Sequence, residues 1–243
     1  MKIIACDYDG TLFQEDGTGV SQDDKDAIIK FRSYGGKFGI VTGRDMIASQ
    51  KVLKSLPNLL DFLICSTGAI ICDGCGNIVS QSKSNNTKSI CQIAEFSSKN
   101  NVSHFTIINE STRYCLDTSS PNIKELSSIK EFNNCTIWFE TIKDAEAVEE
   151  YIKHNHSENF TFFRNFECIE ITPPNVTKAS AVKKFISEFN SPIVYAVGDG
   201  TTDIPMIKEF HGFAVENANP KAKEAAKYHC HRVCDMIESI FHM

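Results

Sequence analysis

The sequence predicts an α/β fold in which a core with a parallel sheet is interrupted by an inserted α+β domain. Three observations support this: strands alternate with helices in the first third, the alternation resumes in the last third, and the order between them differs. The chain has 243 residues, of which 42% are hydrophobic, so it is long enough for a core and a smaller module. We predict a core of residues 1–81 and 172–243 with an inserted domain of residues 82–171.

The first third reads as strand, helix, strand, helix, strand. Ser21 is a predicted N-cap with two aspartates after it, and Gly35-Gly36 and Pro57 are predicted to end the two helices. Such an order predicts parallel strands joined by right-handed crossovers. The predicted segments are "KIIACDY", "SQDDKDAIIKFRSYGG", "KFGIVTG", "DMIASQKVLKSL" and "DFLICS".

The middle third begins after Gln81 with the polar linker "SKSNNTKS" and ends at Pro173-Pro174. Its order is helix, two strands, helix, strand, helix, two strands, which predicts an antiparallel sheet with helices on one face. The predicted segments are a helix at about 87–99, "HFTIINE", "RYCLD", a helix at about 121–131, "CTIWFET", a helix at 143–154, "NFTFFRN" and "CIEITP".

In the last third the first pattern returns. The helix "KASAVKKFISEF" precedes the buried-type strand "PIVYAVGDG", and a further helix, strand and helix follow. The last of these helices, "PKAKEAAKY", carries Pro220 near its N-terminus, where proline is tolerated. The segments "HRV" and "DMIESIFHM" close the chain.

The composition of the chain indicates which classes of partner are not expected. The formal net charge is −6 and no basic cluster stands out, which argues against nucleic acid. No apolar run reaches the ~18 residues of a membrane span, and "KIIACDYD" directly after Met1 has no cleavage signature. We therefore expect a cytoplasmic protein without nucleic-acid or membrane partners, as a monomer or weak homo-oligomer.

Ten cysteines are scattered along the chain, mostly in apolar stretches, as expected for reduced thiols in a core. One alternative is a zinc site in which Cys72 and Cys75 pair with "HCHRVC" at 229–234. The turn of a hairpin is the preferred interpretation of the "CDGC" segment, since Asp-Gly and Gly-Asn dipeptides favour turns.

Polar and charged residues directly follow three of the predicted core strands. Asp7 and Asp9 follow the first, Thr42-Gly43-Arg44 follows the second, and Asp199 follows "PIVYAVG". Lys178 precedes the helix that leads into that last strand. In an open parallel sheet, ligands bind at the carboxyl ends of strands. Carboxylates, a hydroxyl, backbone amides and a lysine together suit a hard divalent cation and a phosphoryl group.

These motifs resemble those of the haloacid dehalogenase-like superfamily, within the Cof-type sugar-phosphate phosphatases that carry a large C2B-like cap. The resemblance covers nearly the whole chain, in motif order. It implies a Rossmann-like core, an inserted cap and hydrolysis of phosphate monoesters of small metabolites. The matching segments are "DYDGT" at 7–11, "VTGR" at 41–44, Lys178, "GDGTTD" at 198–203 and the runs "STGAIICDGCGNIV" and "EITPPNVTKASAV".

The resemblance also implies catalytic roles. Asp7 would be the nucleophile that forms an aspartyl-phosphate, and Asp9 would act as general acid and then general base. Mg²⁺ would be held by the Asp7 carboxylate, the Asp9 backbone carbonyl and Asp199. This would explain why two carboxylates lie side by side at a strand end.

Further residues of the motifs have supporting roles by the same resemblance. Thr42, the Gly43 amide and Lys178 would hold the phosphoryl oxygens, where transition-state charge spreads. Asp203 would bind a metal-bound water or the metal itself. Thr202 stands where the family usually has asparagine, and either weaker Mg²⁺ binding or a slower rate, but not inactivity, is expected from its shorter reach. Arg44 would either reach the leaving group or form a salt bridge at a helix start.

Two other functions share this pattern. A phosphomutase resembling phosphomannomutase has a similar core and cap, but it needs two phosphate sites, and residues 82–171 contain only two arginines, Arg113 and Arg164. A non-catalytic protein that binds a phosphorylated metabolite would have no need of Asp9. The sequence favours the hydrolase.

Overall fold

The structure, a computed structural model, describes residues 1–14, 19–116, 126 and 128–242. The chain divides into two compact units: Met1–Ser80 with Lys178–Met243, and Gln81–Thr177. The boundaries expected from the sequence, after residues 81 and 171, lie one residue later and six residues earlier than these. Residues 172–177 belong to the second unit, to which Thr161 binds them: Thr172 Oγ1 donates to the Thr161 carbonyl at 3.3 Å, and the Asn175 amide donates to Thr161 Oγ1 at 2.9 Å.

The elements of the described part are numbered in chain order. The strands are β1 Lys2–Cys6, β2 Lys37–Val41, β3 Phe62–Cys65, β4 Ile70–Asp73, β5 Ile78–Gln81, β6 Val102–Asn109, β7 Thr112–Leu116, β8 Asn134–Phe139, β9 Thr161–Asn165, β10 Cys168–Thr172, β11 Ile193–Gly198, β12 His211–Val215 and β13 Tyr228–Cys230. The helices are α1 Gln22–Ser33, α2 Met46–Ser55, α3 Thr87–Ser97, α4 Ile142–Asn155, α5 Lys178–Ile186, α6 Ile204–Glu209, α7 Pro220–Ala225 and α8 Val233–Phe241.

The larger sheet has the strand order β13-β12-β11-β1-β2-β3-β4-β5. All neighbours from β13 to β3 are parallel, and β4 runs antiparallel to β3. Because β1 lies between β11 and β2, the residues that follow these three strands meet at one edge of the sheet. This edge holds the candidate site.

Helices cover both faces of this sheet, as the hydrophobic strands require. Ile4 packs in a cluster with Ile28 of α1 and Ile237 of α8, whereas its neighbour Ile3 packs in a second cluster with Val182 of α5. Successive residues of a strand point to opposite faces, so one strand contributes to two cores. The central strands are buried on both sides and fix the site residues at their ends.

The predicted N-cap of α1 is confirmed: Ser21 Oγ accepts a hydrogen bond from the Asp24 amide at 3.1 Å. The second helix begins in the same way, because an Asp45 carboxylate oxygen accepts from the Ala48 amide at 2.8 Å. Side-chain acceptors of this kind satisfy amides that the first helical turn leaves without partners. Asp45 thereby fixes the start of α2 directly after Arg44.

The segment "LICSTGAII" contains a chain reversal that the sequence interpretation did not include. Ser66–Gly68 form a short 3₁₀ turn between β3 and β4, which pair as antiparallel neighbours. Ser66, Thr67 and Gly68 have φ angles of 51°, 54° and 101°. A left-handed backbone is common at glycine but rare at threonine, so only one of the three residues signalled the turn.

The second unit contains a five-stranded sheet with the order β7-β6-β8-β10-β9, in which every pair is antiparallel. Ile137 and Ile169 face a cluster that includes Ile93 of α3 and Val148 of α4, whereas Trp138 is exposed on the other face. The predicted antiparallel sheet is thus observed. Of the predicted helix at about 121–131, residues 121–125 and 127 lie outside the described part.

The end of the chain differs from the expectation in one detail. The helix expected over 220–228 ends at Ala225, and Tyr228–Cys230 form the edge strand β13. Phe213 of β12 stacks on Tyr228 with ring centroids 4.9 Å apart, which stabilises this strand at the sheet edge. "HRV" then leads into α8.

Candidate active site

Lys178 joins two aspartates in the interior of the first unit. Its Nζ lies 2.7 Å from Asp7 Oδ1 and 2.6 Å from Asp203 Oδ1, and all three side chains are buried. Asp7 follows β1, where its amide donates to the Val197 carbonyl at 2.9 Å, and Lys178 is the first residue of α5. The core therefore brings together residues that are 171 positions apart in the chain.

Burial has opposite effects on the two kinds of charge in this group. Burial raises the pKa of the Asp7 carboxyl well above its usual range, Asp203 and Asp199 add to that rise, and Lys178 opposes it. Burial alone would lower the pKa of Lys178, but the charges of Asp203 and Asp7 outweigh it and raise that pKa. Lys178 therefore stays positively charged, and a second cation would stabilise the ionised carboxylates.

Asp199 completes an acidic cluster. One ligand atom each from Asp7, Asp199 and Asp203 lie within 4.8 Å of one another. Burial and the charge of Asp203 raise the pKa of Asp199. Thr11 Oγ1 donates to Asp199 Oδ1 at 3.0 Å, and a Cβ at Gly10 would lie 2.6 Å from Asp199 Oδ2. Glycine is thus required at position 10 for two reasons: its φ of +76° favours glycine, and a side chain would collide with Asp199.

Both oxygens of Asp203 are already engaged. Oδ1 pairs with Lys178, and Oδ2 accepts from the amides of Asp199 and Gly200 at 3.1 and 2.9 Å. A Cβ at Gly198 would come within 2.4 Å of the Asp203 side chain, so this close approach needs glycine. Asp203 therefore orients Lys178 and the loop that carries Asp199.

Asp9 lies beside this cluster and forms a bidentate pair with Arg44. Arg44 Nε and Nη2 lie 2.7 and 2.5 Å from the two Asp9 carboxylate oxygens. The guanidinium also lies over the Tyr8 ring, 5.0 Å from its centroid, and hydrogen bonding to Asp9 raises the pKa of Arg44. Of the two roles that the sequence left open for Arg44, a salt bridge is what the structure contains, and its partner is Asp9.

The Thr42-Gly43-Arg44 loop follows β2 beside these carboxylates. The Thr42 amide donates to the Ile64 carbonyl at 2.8 Å, and Thr42 Oγ1 accepts from the Arg44 amide at 3.1 Å. Thr42 is buried. The loop is a tight turn held by the neighbouring strand β3.

The comparison with protein families decides the class of this arrangement. The sequence model of a family described as haloacid dehalogenase-like hydrolase matches residues 4–242. The chain belongs to this family. The assignment made from the sequence motifs, and with it the prediction of a hydrolase, is confirmed.

Individual relatives are similar over different lengths. Phosphoglycolate phosphatase of Pyrobaculum aerophilum is 43% identical over 62 residues, a match that spans 25% of this chain and only 27% of that protein. The solved structure of the HAD subclass IIB sugar phosphatase BT4131 has a TM-score of 0.83 at 20% identity and covers 100% of this chain and 98% of its own. A HAD/COF-like hydrolase from Plasmodium vivax gives 0.83 at 22% identity, covering 100% and 96%.

These structural likenesses concern the fold. They confirm the predicted α/β class, with a Rossmann-like parallel-sheet core and an inserted α+β domain. Among the residues that the structure describes, none of the helices has the length and apolar character needed to cross a membrane.

The acidic cluster fits the magnesium ion that membership of this family implies. Burial raises the pKa of both Asp7 and Asp199, and the charge of Asp203 adds to each rise, so a cation beside these carboxyl groups would stabilise their ionised forms. Three carboxylates and one lysine leave a buried excess of negative charge, and all the donor atoms are oxygens. Hard cations such as Mg²⁺ prefer this donor set.

The zinc alternative does not fit the fold. Cys72 lies in β4 near one edge of the larger sheet, whereas Cys230 lies in β13 at the opposite edge. Asp73 instead caps the turn after β4, accepting from the amides of Cys75 and Asn77 at 2.9 Å each. Within the described ranges, the acidic cluster of Asp7, Asp199 and Asp203 is the group found that could hold a metal.

Four residues contribute to the site in ways that were not assigned from the sequence. Thr11 and Gly10 position Asp199, although both belong to the quoted "DYDGT" motif, and Ser66 and Thr67 contact the Thr42-Gly43-Arg44 loop. Motif spacing shows which residues occur together but not which hydrogen bonds join them. The unusual φ values of residues 66 and 67 have no clear signal in the sequence.

Proposed function

We propose that this protein is a Mg²⁺-dependent phosphatase that hydrolyses small phosphorylated metabolites, with sugar phosphates as the substrate class, through an aspartyl-phosphate on Asp7. The observation that carries the proposal is the buried Lys178 between Asp7 and Asp203, with Asp199 in the same cluster. The positive charge of Lys178 beside Asp7 would help an anionic nucleophile approach an anionic phosphate.

In the first half of the reaction, an Asp7 oxygen attacks phosphorus and the bond to the leaving oxygen breaks. Asp9 gives its proton to the leaving alkoxide. In the second half, ionised Asp9 takes a proton from water, which attacks the phosphorus and frees Asp7. The bidentate pair with Arg44 fixes the orientation of the Asp9 carboxyl group, which the proposal uses in both halves.

The remaining groups bind and neutralise charge. Thr42 Oγ1, the Gly43 amide and Lys178 Nζ would hold the phosphoryl oxygens. Asp7, Asp199 and the Asp9 backbone carbonyl would hold Mg²⁺, which would supply positive charge to offset the negative charges of the nucleophile and the phosphate. Asp203 holds Lys178, and Thr202 lies in the same loop. We expect Thr202→Asn to strengthen Mg²⁺ binding.

The substrate class rests on similarity and on the inserted domain. The names of the similar proteins include a sugar phosphatase and a phosphoglycolate phosphatase. In this proposal the core residues would contact the phosphoryl group, so selectivity for the leaving group would come from elsewhere, and residues 82–171 are the candidate cap. Arg164 of this domain pairs with Glu149 and Glu146 of α4, which argues against a second phosphate site there and so against a mutase.

The test is phosphate release from a panel of sugar phosphates and other phosphorylated metabolites, with Mg²⁺ and with a chelator. We expect Mg²⁺-dependent release that Asp7→Asn reduces by at least about 10³-fold, since no nucleophile remains. The control is Asp23→Asn, the same change at an exposed carboxylate of α1, which should leave the rate unchanged. Phosphate release that persists in Asp7→Asn, or that is equally fast with Mg²⁺ and with the chelator, would refute the mechanism.

A further inference from the structure

The turn between β3 and β4 adopts a conformation that is costly for its residues. Ser66 and Thr67 both have left-handed φ angles, of 51° and 54°, and both are fully buried. Threonine is β-branched and rarely adopts this region. In the described part of the chain, Ser66 Oγ has no hydrogen-bond partner. A buried hydroxyl without a partner and a strained backbone persist only where other contacts require them.

The contacts that this conformation allows lead to the candidate active site. The Ser66 amide donates to the Arg44 carbonyl at 2.8 Å, and the Thr67 amide donates to the Thr42 carbonyl at 3.1 Å. Two successive amides therefore bind two carbonyls of one loop, on either side of Gly43. An extended backbone would point successive amides in opposite directions and could not do this.

The bond from Thr67 also determines where the Gly43 amide points. The Thr42 carbonyl and the Gly43 N–H belong to one planar trans peptide unit, so they point in opposite directions. Binding of the carbonyl by Thr67 therefore directs the Gly43 N–H away from Thr67. The amides of Thr42 and Arg44 are engaged by the Ile64 carbonyl and Thr42 Oγ1. Among the three backbone amides of this loop, that of Gly43 is the one for which the described part of the chain shows no acceptor, so it is left for a ligand beside the Thr42 hydroxyl.

We propose that Ser66 and Thr67 are positioning residues whose left-handed backbone orients the Gly43 amide for a phosphoryl oxygen. The proposal rests on the proposed function, which assigns that oxygen to Gly43. The strained backbone is useful because it fixes the Gly43 N–H in one direction. A fixed donor loses less entropy on binding than a mobile one. The relevant group is a backbone N–H, so side-chain substitutions test it only indirectly.

The experiment replaces one backbone N–H by oxygen. The α-hydroxy analogue of valine is incorporated at position 67 and compared with the Thr67→Val variant, which has the same side chain and an amide. The matched control is the same analogue at position 193 compared with Ile193→Val, because the Ile193 amide also donates to a backbone carbonyl, that of Met1, at 2.9 Å. Measurements are the melting temperature, Ki for inorganic phosphate, and KM and kcat for para-nitrophenyl phosphate.

We expect the ester at 67 to raise the Ki for phosphate about tenfold over Thr67→Val, the effect of one well-placed hydrogen bond. The ester at 193 should lower the melting temperature but leave Ki unchanged. Equal Ki values for the ester and amide at 67 would overturn the proposal. The amide proton of Gly43, observed by NMR, should also exchange faster in the ester. If the wild type proved inactive, the proposed function would fail, and unchanged exchange at Gly43 would separately refute the positioning role.

Discussion

The two units of the molecule each contain a lysine between two carboxylates, in very different surroundings. In the first unit, Lys178 lies 2.7 and 2.6 Å from Asp7 and Asp203, and the three side chains are 2%, 7% and 1% exposed. In the second, Lys83 lies 2.9 and 2.7 Å from Glu110 and Glu131, with exposures of 20%, 44% and 49%. The distances are nearly equal, so the comparison isolates the effect of burial.

Burial changes how strongly the three charges of this arrangement interact. Exposed ion pairs are screened by water and contribute about 0–1 kcal/mol. Buried charges interact strongly, but they also lose hydration, and only a complete set of partners compensates for it. The first triad is bound into α5, the Asp199–Gly200 amides and the strand ends, whereas the second pairs three flexible side chains.

The largest expected difference is in stability after loss of the lysine. We expect Lys178→Met to lower the free energy of unfolding by about 3–5 kcal/mol, because it leaves two buried carboxylates without a cation. Lys83→Met should cost at most about 1 kcal/mol. Urea unfolding of both variants at neutral pH measures this. Equal losses would show that burial does not separate the two triads.

A smaller difference is expected on addition of Mg²⁺. At ten times its Kd, an ion that binds only the folded state stabilises it by about 1.4 kcal/mol. We expect this gain for the wild type and for Glu131→Gln, which changes only the exposed triad. Asp199→Asn should lose it, because the acidic cluster then lacks one ligand. Thermal unfolding with increasing Mg²⁺, with Ca²⁺ as a second ion, makes the measurement. A gain retained in Asp199→Asn would contradict the metal site.

The sequence predicted the members of the buried triad but not the exposed one, for a physical reason. Asp7, Lys178 and Asp203 lie at strand and helix ends where few residue types serve the chemistry, so their motifs are specific, and the same holds for the neighbouring Asp199. Lys83 and its partners can be replaced by many polar residues, and nothing in their spacing marks them. The fold class followed from the alternation of strands and helices.

Two features of the site escaped sequence reasoning because they depend on tertiary contacts. The Arg44–Asp9 pair joins residues 35 positions apart, and the sequence left a salt bridge open for Arg44 without identifying Asp9 as the partner. The reversal at Ser66 and Thr67 runs against the conformational preference of threonine, so propensity predicts the wrong backbone there. Both cases lie at the candidate active site, where local preferences are expected to give way to function.

The smallest expected difference is in the pH dependence of stability, where the triads should respond with opposite sign. Gln81 and Lys83 hold the pKa of Glu110 below its ordinary value near 4.5, so the stability that Glu110 contributes is present above that value and lost as the pH falls through the lowered pKa. Burial raises the pKa of Asp7, so in metal-free protein its contribution is full below its ordinary value near 3.8 and is lost as the pH rises. Glu110→Gln should therefore remove a small loss of stability at acidic pH. Asp7→Asn should raise the urea midpoint at pH 8 in the presence of a chelator. Urea midpoints of both variants and the wild type from pH 3 to 8 provide the measurement. Slopes of the same sign for the two carboxylates would contradict the contrast between a buried and an exposed triad.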